Sequence, residues 1–141
     1  MASKNVKTVQ TQFEGFNKHD LDQATHGYAD EVRFTDHAGG VSLKTPQEIR
    51  EHVGMFLGSA SDAKINIREI TDAGDTVVLQ LTFSGVNDGP FGPFPATGKH
   101  VSIEGANFFT FDKAGRIISE DWYYDQLSTM VQLGHMQAPG I

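Results

Sequence analysis

Asp36, Asn107 and Asp121 are the residues of this 141-residue chain whose types and settings best suit proton-transfer chemistry. In the run Val32 to Ala38, alternation places Val32, Phe34, Asp36 and Ala38 on one face, so Asp36 is a carboxylate on an otherwise apolar surface. Desolvation there raises a carboxyl pKa toward the range of a general acid or base. The same residue also suits a strand end, where it would accept from the amides of the Gly39-Gly40 turn, and the pattern leaves both roles open. In the run Val101 to Phe111, Asn107 shares a face with Val101, Ile103, Phe109 and Phe111. A carboxamide so placed either donates to a developing oxyanion in a dry pocket or is a core amide bonded to nearby main chain. From Ile117 to Asp125 both faces mix polar and apolar groups: Ile118, Trp122 and Tyr124 against Ile117, Asp121 and Tyr123. Asp121 is thus either a second acid/base group or part of a solvated face, and Trp122 either stacks on a flat ligand or is core.

Other chemistries find little support. The chain has no cysteine, which excludes disulfides, thiolate ligands and a cysteine nucleophile. Its six histidines show no HExxH spacing and no helical i, i+4 pair, so no metal site is expected. His52 borders the apolar face of a helix and is the histidine expected to touch a cavity. His37 follows Asp36 but points to the opposite face, and His19 and His26 are expected at the surface. The segment Gly92 to His100 imitates a phosphate loop, but its glycines are too widely spaced and no Ser or Thr follows Lys99.

The elements that must carry these groups are legible from their periodicity. Val6, Val9, Phe13 and Phe16 recur at helical spacing, and Asp20 caps a second short helix with Leu21, Ala24 and Tyr28 on one face. Thr45-Pro46-Gln47-Glu48 has the form of a capping box with proline at the first helical position; Ile49, Val53, Phe56 and Leu57 continue that helix to Gly58. Period-two alternation marks Glu31 to Ala38, Ile65 to Thr71, Thr76 to Val86, Lys99 to Asp112 and Arg116 to Tyr124, joined in part by turns short enough for hairpins. A last helix follows Asp125, with Leu127, Met130 and Val131 as its expected buried face. Gly and Pro crowd between Gly85 and Lys99, which reads as a loop or lid, with Pro90 to Thr97 bordering a pocket mouth. Helices first and an antiparallel sheet afterwards indicate an α+β fold in a single domain, 1–141.

Composition narrows the partners. Eleven Lys and Arg against eighteen Asp and Glu give a net charge of −7 with no basic run, so neither nucleic acid nor an anionic membrane is an expected partner. No apolar run reaches membrane-spanning length and the first residues lack the apolar stretch of a secretory signal; the expected location is cytoplasmic.

Several segments taken together resemble the SnoaL-like polyketide cyclase family: Asp75-Thr76-Val77-Val78, Ser84-Gly85, Gly89-Pro90-Phe91-Gly92, Pro95-Ala96-Thr97-Gly98-Lys99, Gly115-Arg116-Ile117, and Asp125 followed by Gln132-Leu133-Gly134. The match in order and spacing runs over roughly Val6 to Gly134. The resemblance implies a cone-shaped barrel, shared with nuclear transport factor 2-like proteins, in which a strongly curved, mainly antiparallel sheet wraps N-terminal helices around an apolar pocket. It further implies a homodimer formed through the sheet, and ring closure of a polyketide ester by an intramolecular aldol reaction with neither metal nor cofactor. The family's catalytic aspartate falls at Trp122, one place after Asp121, and on a strand one place turns a side chain to the opposite face unless a bulge intervenes. Asn107 aligns with a polar pocket residue of the family, and Asp36 with the aspartate that moves a proton in ketosteroid isomerase.

Two expectations follow. In the first, the chain is an enzyme acting on a small, flat, largely apolar carbonyl compound, with Asp36 as base, Asn107 as oxyanion donor and Asp121 as acid on a bulged strand. Phe13, His52, Phe109 and Trp122 would then meet the substrate. In the second, a small-molecule binding protein has kept the pocket and lost the acid, with Trp122 in its place.

Overall fold

The computed structural model describes residues 3–140. Helix α1 (Lys4–Asn17) starts where the Ser3 hydroxyl accepts from the Val6 amide at 3.2 Å. Helix α2 (Leu21–Ala24) is a single turn capped by Asp20. It sits close against α1 because Gly15 carries no side chain: a Cβ there would lie 2.6 Å from the Ala24 nitrogen. The helix ends before Tyr28, contrary to the periodicity, because Gly27 adopts a φ of 100° and turns the chain into strand β1 (Tyr28–Asp36). A three-residue strand, β2 (Val41–Leu43), was not expected from the sequence.

Helix α3 (Pro46–Ser59) carries the expected cap: Thr45 Oγ1 accepts from the Glu48 amide at 3.2 Å, and the Glu48 carboxylate reaches back to the Lys44 amide at 3.1 Å. Strands β3 (Lys64–Asp72), β4 (Thr76–Val86), β5 (His100–Phe111) and β6 (Ile117–Tyr124) follow, and α4 (Gln126–Leu133) starts at an Asp125 cap and stops at Gly134 with φ of 85°. In α4 the buried residues are Thr129, Met130 and Leu133; Leu127 is exposed, a correction to the expected face.

The strands form one sheet in the order β2-β1-β6-β5-β4-β3. All neighbours are antiparallel except β1 and β6, which run parallel with Asp36 beside Trp122. The fold is α+β, and the sheet stays open, with β2 and β3 as its edges, rather than closing into the expected barrel. Its inner face carries Val32 and Phe34 of β1, Val77, Leu79 and Leu81 of β4, and Ile103, Phe109 and Phe111 of β5, all buried. Phe13 of α1 meets Phe109 edge-on at 6.3 Å, and Phe56 of α3 meets Phe83 at 6.0 Å, so the helices close over this face.

Three register shifts help decide which side chains look inward, the first on β1 between Tyr28 and Arg33. On β3 the register shifts between Ile67 and Glu69, which lets Ile65, Ile67 and Ile70 all pack on the core. On β6 the partners pass from Phe111 with Ile117 to Thr110 with Ser119, so Ile118 is the extra residue. Ile118 is exposed, and the parity behind it is reversed: Ile117 and then Glu120 are buried.

Candidate active site

The bulge at Ile118 is present, as the acid/base expectation required, but it turns Glu120 rather than Asp121 toward the interior. Asp121 stays on the outer face, where its Oδ1 lies 2.8 Å from His37 Nε2, and the His37 ring stacks on Tyr123 at 4.2 Å. The expectation that a bulged strand aims Asp121 into the pocket is therefore corrected.

Glu120 lines a cavity of about 70 Å³ bordered by α1, α3 and the inner face of the sheet. The walls are mostly apolar: Phe13 and Phe16 of α1, Val53 and Phe56 of α3, Leu81 and Phe83 of β4, and the Trp122 ring. Glu120 is the single carboxylate among the described lining residues. It accepts from the Tyr28 hydroxyl at 2.5 Å through Oε1 and from the Trp122 indole N–H through Oε2. Burial pushes its pKa up from the usual 4.5 to about 7, with a smaller upward push from Asp121, while the Tyr28 and Trp122 hydrogen bonds pull it down. The Tyr28 hydroxyl in turn is held well above its usual value by burial first and by the Glu120 charge second. A carboxyl that titrates near neutrality in an apolar cavity is suited to taking and returning a proton.

Asn107 also lines this cavity and is buried. Its amide is assigned with Oδ1 accepting from Trp122 Nε1 at 3.1 Å and Nδ2 donating to the Ala106 carbonyl at 3.1 Å, because the reverse orientation faces like against like. The other Nδ2 hydrogen has no partner among the described residues. Trp122 Nε1–H is thus shared between Glu120 and Asn107, and the indole ties the carboxyl to the amide.

Asp36 is buried, as the alternation indicated, but does not line this cavity. Both readings of it are partly met: Oδ1 accepts from the Gly39 amide at 2.8 Å, and Oδ2 takes His52 Nε2 at 2.9 Å and the Tyr124 hydroxyl at 3.2 Å. His52, expected at a cavity, instead sits behind the wall, 5.8 Å from the Phe34 ring and 5.6 Å from Trp122. Tyr124 joins the two regions, since it lines the cavity and donates to Asp36; burial first, and then Asp36, hold its phenol well above the usual value. The cluster therefore buttresses Trp122 and Tyr124 from behind. Of the four residues expected to meet a substrate, Phe13 and Trp122 line the cavity, whereas Phe109 is wholly buried core and His52 stands outside.

The loop expected at the pocket mouth is also placed differently. Residues 90–97 leave the main cavity untouched; Phe91 packs on Phe56 at 5.2 Å and walls a smaller void. Asn87 pins the loop, accepting from the Thr97 amide and hydroxyl and donating to the carbonyls of Ser59 and Gly89. No helix of the described residues is long and apolar enough to cross a membrane.

Sequence reasoning missed Glu120 and Tyr28. The signal for Glu120 was present: Ile117 and Trp122 are both large and apolar yet five apart, which a regular strand cannot bury on one face.

Comparison with known proteins agrees with this architecture. A SnoaL-like protein from Jannaschia sp. CCS1 superposes with a TM-score of 0.83 at 22% identity, over 96% of this chain and 94% of its own. TsrD from Streptomyces laurentii superposes with a TM-score of 0.83 at 20% identity, over 96% and 99%. A protein with a ketosteroid isomerase-like fold from Catenulispora acidiphila, solved with trimethylamine, gives 0.78 at 17% identity, over 94% and 98%. No curated protein matches the chain in sequence. The family model for SnoaL-like polyketide cyclases matches residues 7–133. Its reach across nearly the whole fold, helices and sheet alike, means that this chain belongs to the SnoaL-like polyketide cyclase family.

Proposed function

We propose that the chain is an acid/base enzyme that moves a proton beside the carbonyl of a small, flat, largely apolar compound, with Glu120 as the proton-transfer group. The observation that carries this is the buried carboxyl of Glu120, raised to about 7 and facing a mostly apolar cavity in which it is the single carboxylate among the described lining residues. In this reading the role of base passes from Asp36 to Glu120, and Asp36 holds Tyr124 and His52. The Glu120 carboxylate takes a proton from the carbon next to the substrate carbonyl, and the electron pair moves onto the oxygen. The free Nδ2 hydrogen of Asn107 donates to that enolate oxygen. In a ring closure the enolate carbon then bonds to a second carbonyl carbon of the same molecule, and the new alkoxide recovers the proton from Glu120. A positioned carboxyl of this kind contributes on the order of 10²–10⁴-fold. Trp122 supplies a flat surface for the ligand and fixes the carboxyl through its N–H.

A homodimer through the outer face of the sheet belongs to the same proposal. Phe108 and Tyr123 are exposed there, 5.7 Å apart and edge-on. Sedimentation equilibrium of wild type and Tyr123→Lys tests it: a wild-type dimer and a monomeric variant are expected, and a monomeric wild type refutes it.

The catalytic reading is tested by deuterium uptake from D2O into a phenyl 1,3-diketone, followed by proton NMR. The wild type should accelerate exchange, and Glu120→Gln should lose at least about 100-fold of that acceleration while still binding. Trp122 is the sole tryptophan, so its fluorescence reports binding directly. Full exchange in Glu120→Gln would overturn the assignment. Binding by the wild type with no exchange would favour the binding-protein reading, in which Trp122 fills the family's aspartate position.

A further inference from the structure

A second, smaller void of about 20 Å³ adjoins the main cavity. Phe56, Phe83 and Ile103 line both, so these side chains stand between the two spaces. Beyond them the void is lined by Phe91 of the pinned loop, Val101 of β5 and Leu133 of α4. Three polar side chains also border it, and each is already bonded within the protein. The Ser59 hydroxyl donates to the Phe56 carbonyl at 2.7 Å, and the Thr129 hydroxyl donates to the Asp125 carbonyl at 2.9 Å. Both hydrogens of the Asn87 amide go to carbonyls, and its oxygen takes two donors from Thr97. Among the described lining residues the void therefore offers a guest no free side-chain donor, only the lone pairs of the Ser59 and Thr129 hydroxyls, and a space so poor in polar partners prefers an apolar group to water. Its volume corresponds to about one or two water-sized groups, the size of a methyl or ethyl substituent.

We propose that this void is a specificity subsite that receives a short alkyl branch, one or two carbons long, of the ligand held in the main cavity. The proposal rests on the reading of the main cavity as the seat of a flat carbonyl compound. Phe56 and Phe83 act as the gate: their rings meet edge-on, and turning either one joins the two spaces. The ring of the ligand stays against Trp122, while the branch passes between them toward Val101 and Leu133. Discrimination then comes from branch length, because a longer chain outgrows a space of about 20 Å³ and runs against Leu133 and Phe91.

The experiment is a binding series by Trp122 fluorescence with acetophenone and its para-methyl, para-ethyl and para-butyl derivatives. In the wild type, affinity should rise about fourfold per added carbon up to ethyl, the factor expected for burying one methylene, and stop rising or fall at butyl. Val101→Ile, which adds one carbon to the wall, should bind acetophenone as the wild type does and lose the gain at ethyl. Leu133→Ala, which lengthens the space, should carry the gain on to butyl. If acetophenone binds but the series is flat, or if both variants keep the wild-type profile, the subsite is refuted and the reading of the main cavity stands. If no member of the series binds to the wild type, both are overturned.

Discussion

Replacing Glu120 with Gln should make the protein more stable, by an amount that grows from pH 4.5 to about 7 and holds above it. The carboxyl is buried, and its pKa in the folded chain is about 7 against 4.5 for the free group. The folded state therefore binds this proton more tightly than the unfolded chain does. The sign follows from linkage: below pH 4.5 the group is protonated in both states, and its contribution is unaffected by pH. Between 4.5 and about 7 the unfolded chain gives up the proton first, so stability falls as pH rises. Above 7 an ionised, desolvated carboxylate remains in the fold at a cost of about 3 kcal/mol. Gln keeps the shape and accepts from Trp122 through its oxygen, while the Tyr28 hydroxyl can rotate to accept from the new amide. Urea unfolding of wild type and Glu120→Gln at pH 4.5, 6, 7 and 8 measures the difference. The two proteins should agree within about 1 kcal/mol at pH 4.5, and the variant should lead by about 3 kcal/mol at pH 8. At pH 8 this corresponds to a melting temperature raised on the order of 10 °C. A difference that stays constant with pH, or a variant that is the weaker protein at pH 8, would refute the reasoning. A stabilised but inactive variant is the pattern of a site where function is held at the expense of stability.

Further predictions concern the groups around this carboxyl. Tyr28→Phe removes a hydrogen bond that lowers the Glu120 pKa, so its midpoint should move upward from about 7, as read by carbon NMR of the carboxyl. Asp36→Ala leaves His52 and the Tyr124 hydroxyl without their buried acceptor and should cost about 3 kcal/mol in urea unfolding. The same variant should also alter Trp122 fluorescence, since His52 and Tyr124 buttress that wall. Gly89→Ala would place a Cβ 2.0 Å from the Gly58 carbonyl oxygen, so the loop must lift away from α3. A loss of about 2 kcal/mol and faster hydrogen exchange over residues 87–99 are expected.

The parts of the fold that were legible in the sequence are those where local chemistry decides. The Thr45-Pro46-Gln47-Glu48 cap and the strict alternation of β4 place α3 and Thr76–Val86 as observed. What escaped was set by interruptions of periodicity and by partners far apart in sequence. Gly27 ends the helical pattern just before Tyr28, and this single residue moves Tyr28 from a helix face to the start of β1, where it reaches Glu120. The bulge at Ile118 exchanges the two faces of β6, so Asp121 goes to the outer face and Glu120 to the cavity. The parallel pairing of β1 with β6, which sets Asp36 beside Trp122, has no local signature at all. Asp36 and Asn107 were found because each interrupts an apolar face on a regular stretch of strand. Whether such a residue faces a cavity or packs behind its wall depends on the helices laid over the sheet, and this is what separates Asn107 from Asp36.

The central claim is that Glu120 is a proton-transfer group poised near neutrality inside the cavity. Its most direct test is titration of the Glu120 side-chain carboxyl by carbon NMR, with Glu120→Gln used to assign the resonance. A midpoint close to 7, accompanied by a shift of the Trp122 indole N–H at the same pH, is the result predicted. A midpoint near the usual 4.5, with the indole resonance unmoved through neutrality, would contradict it.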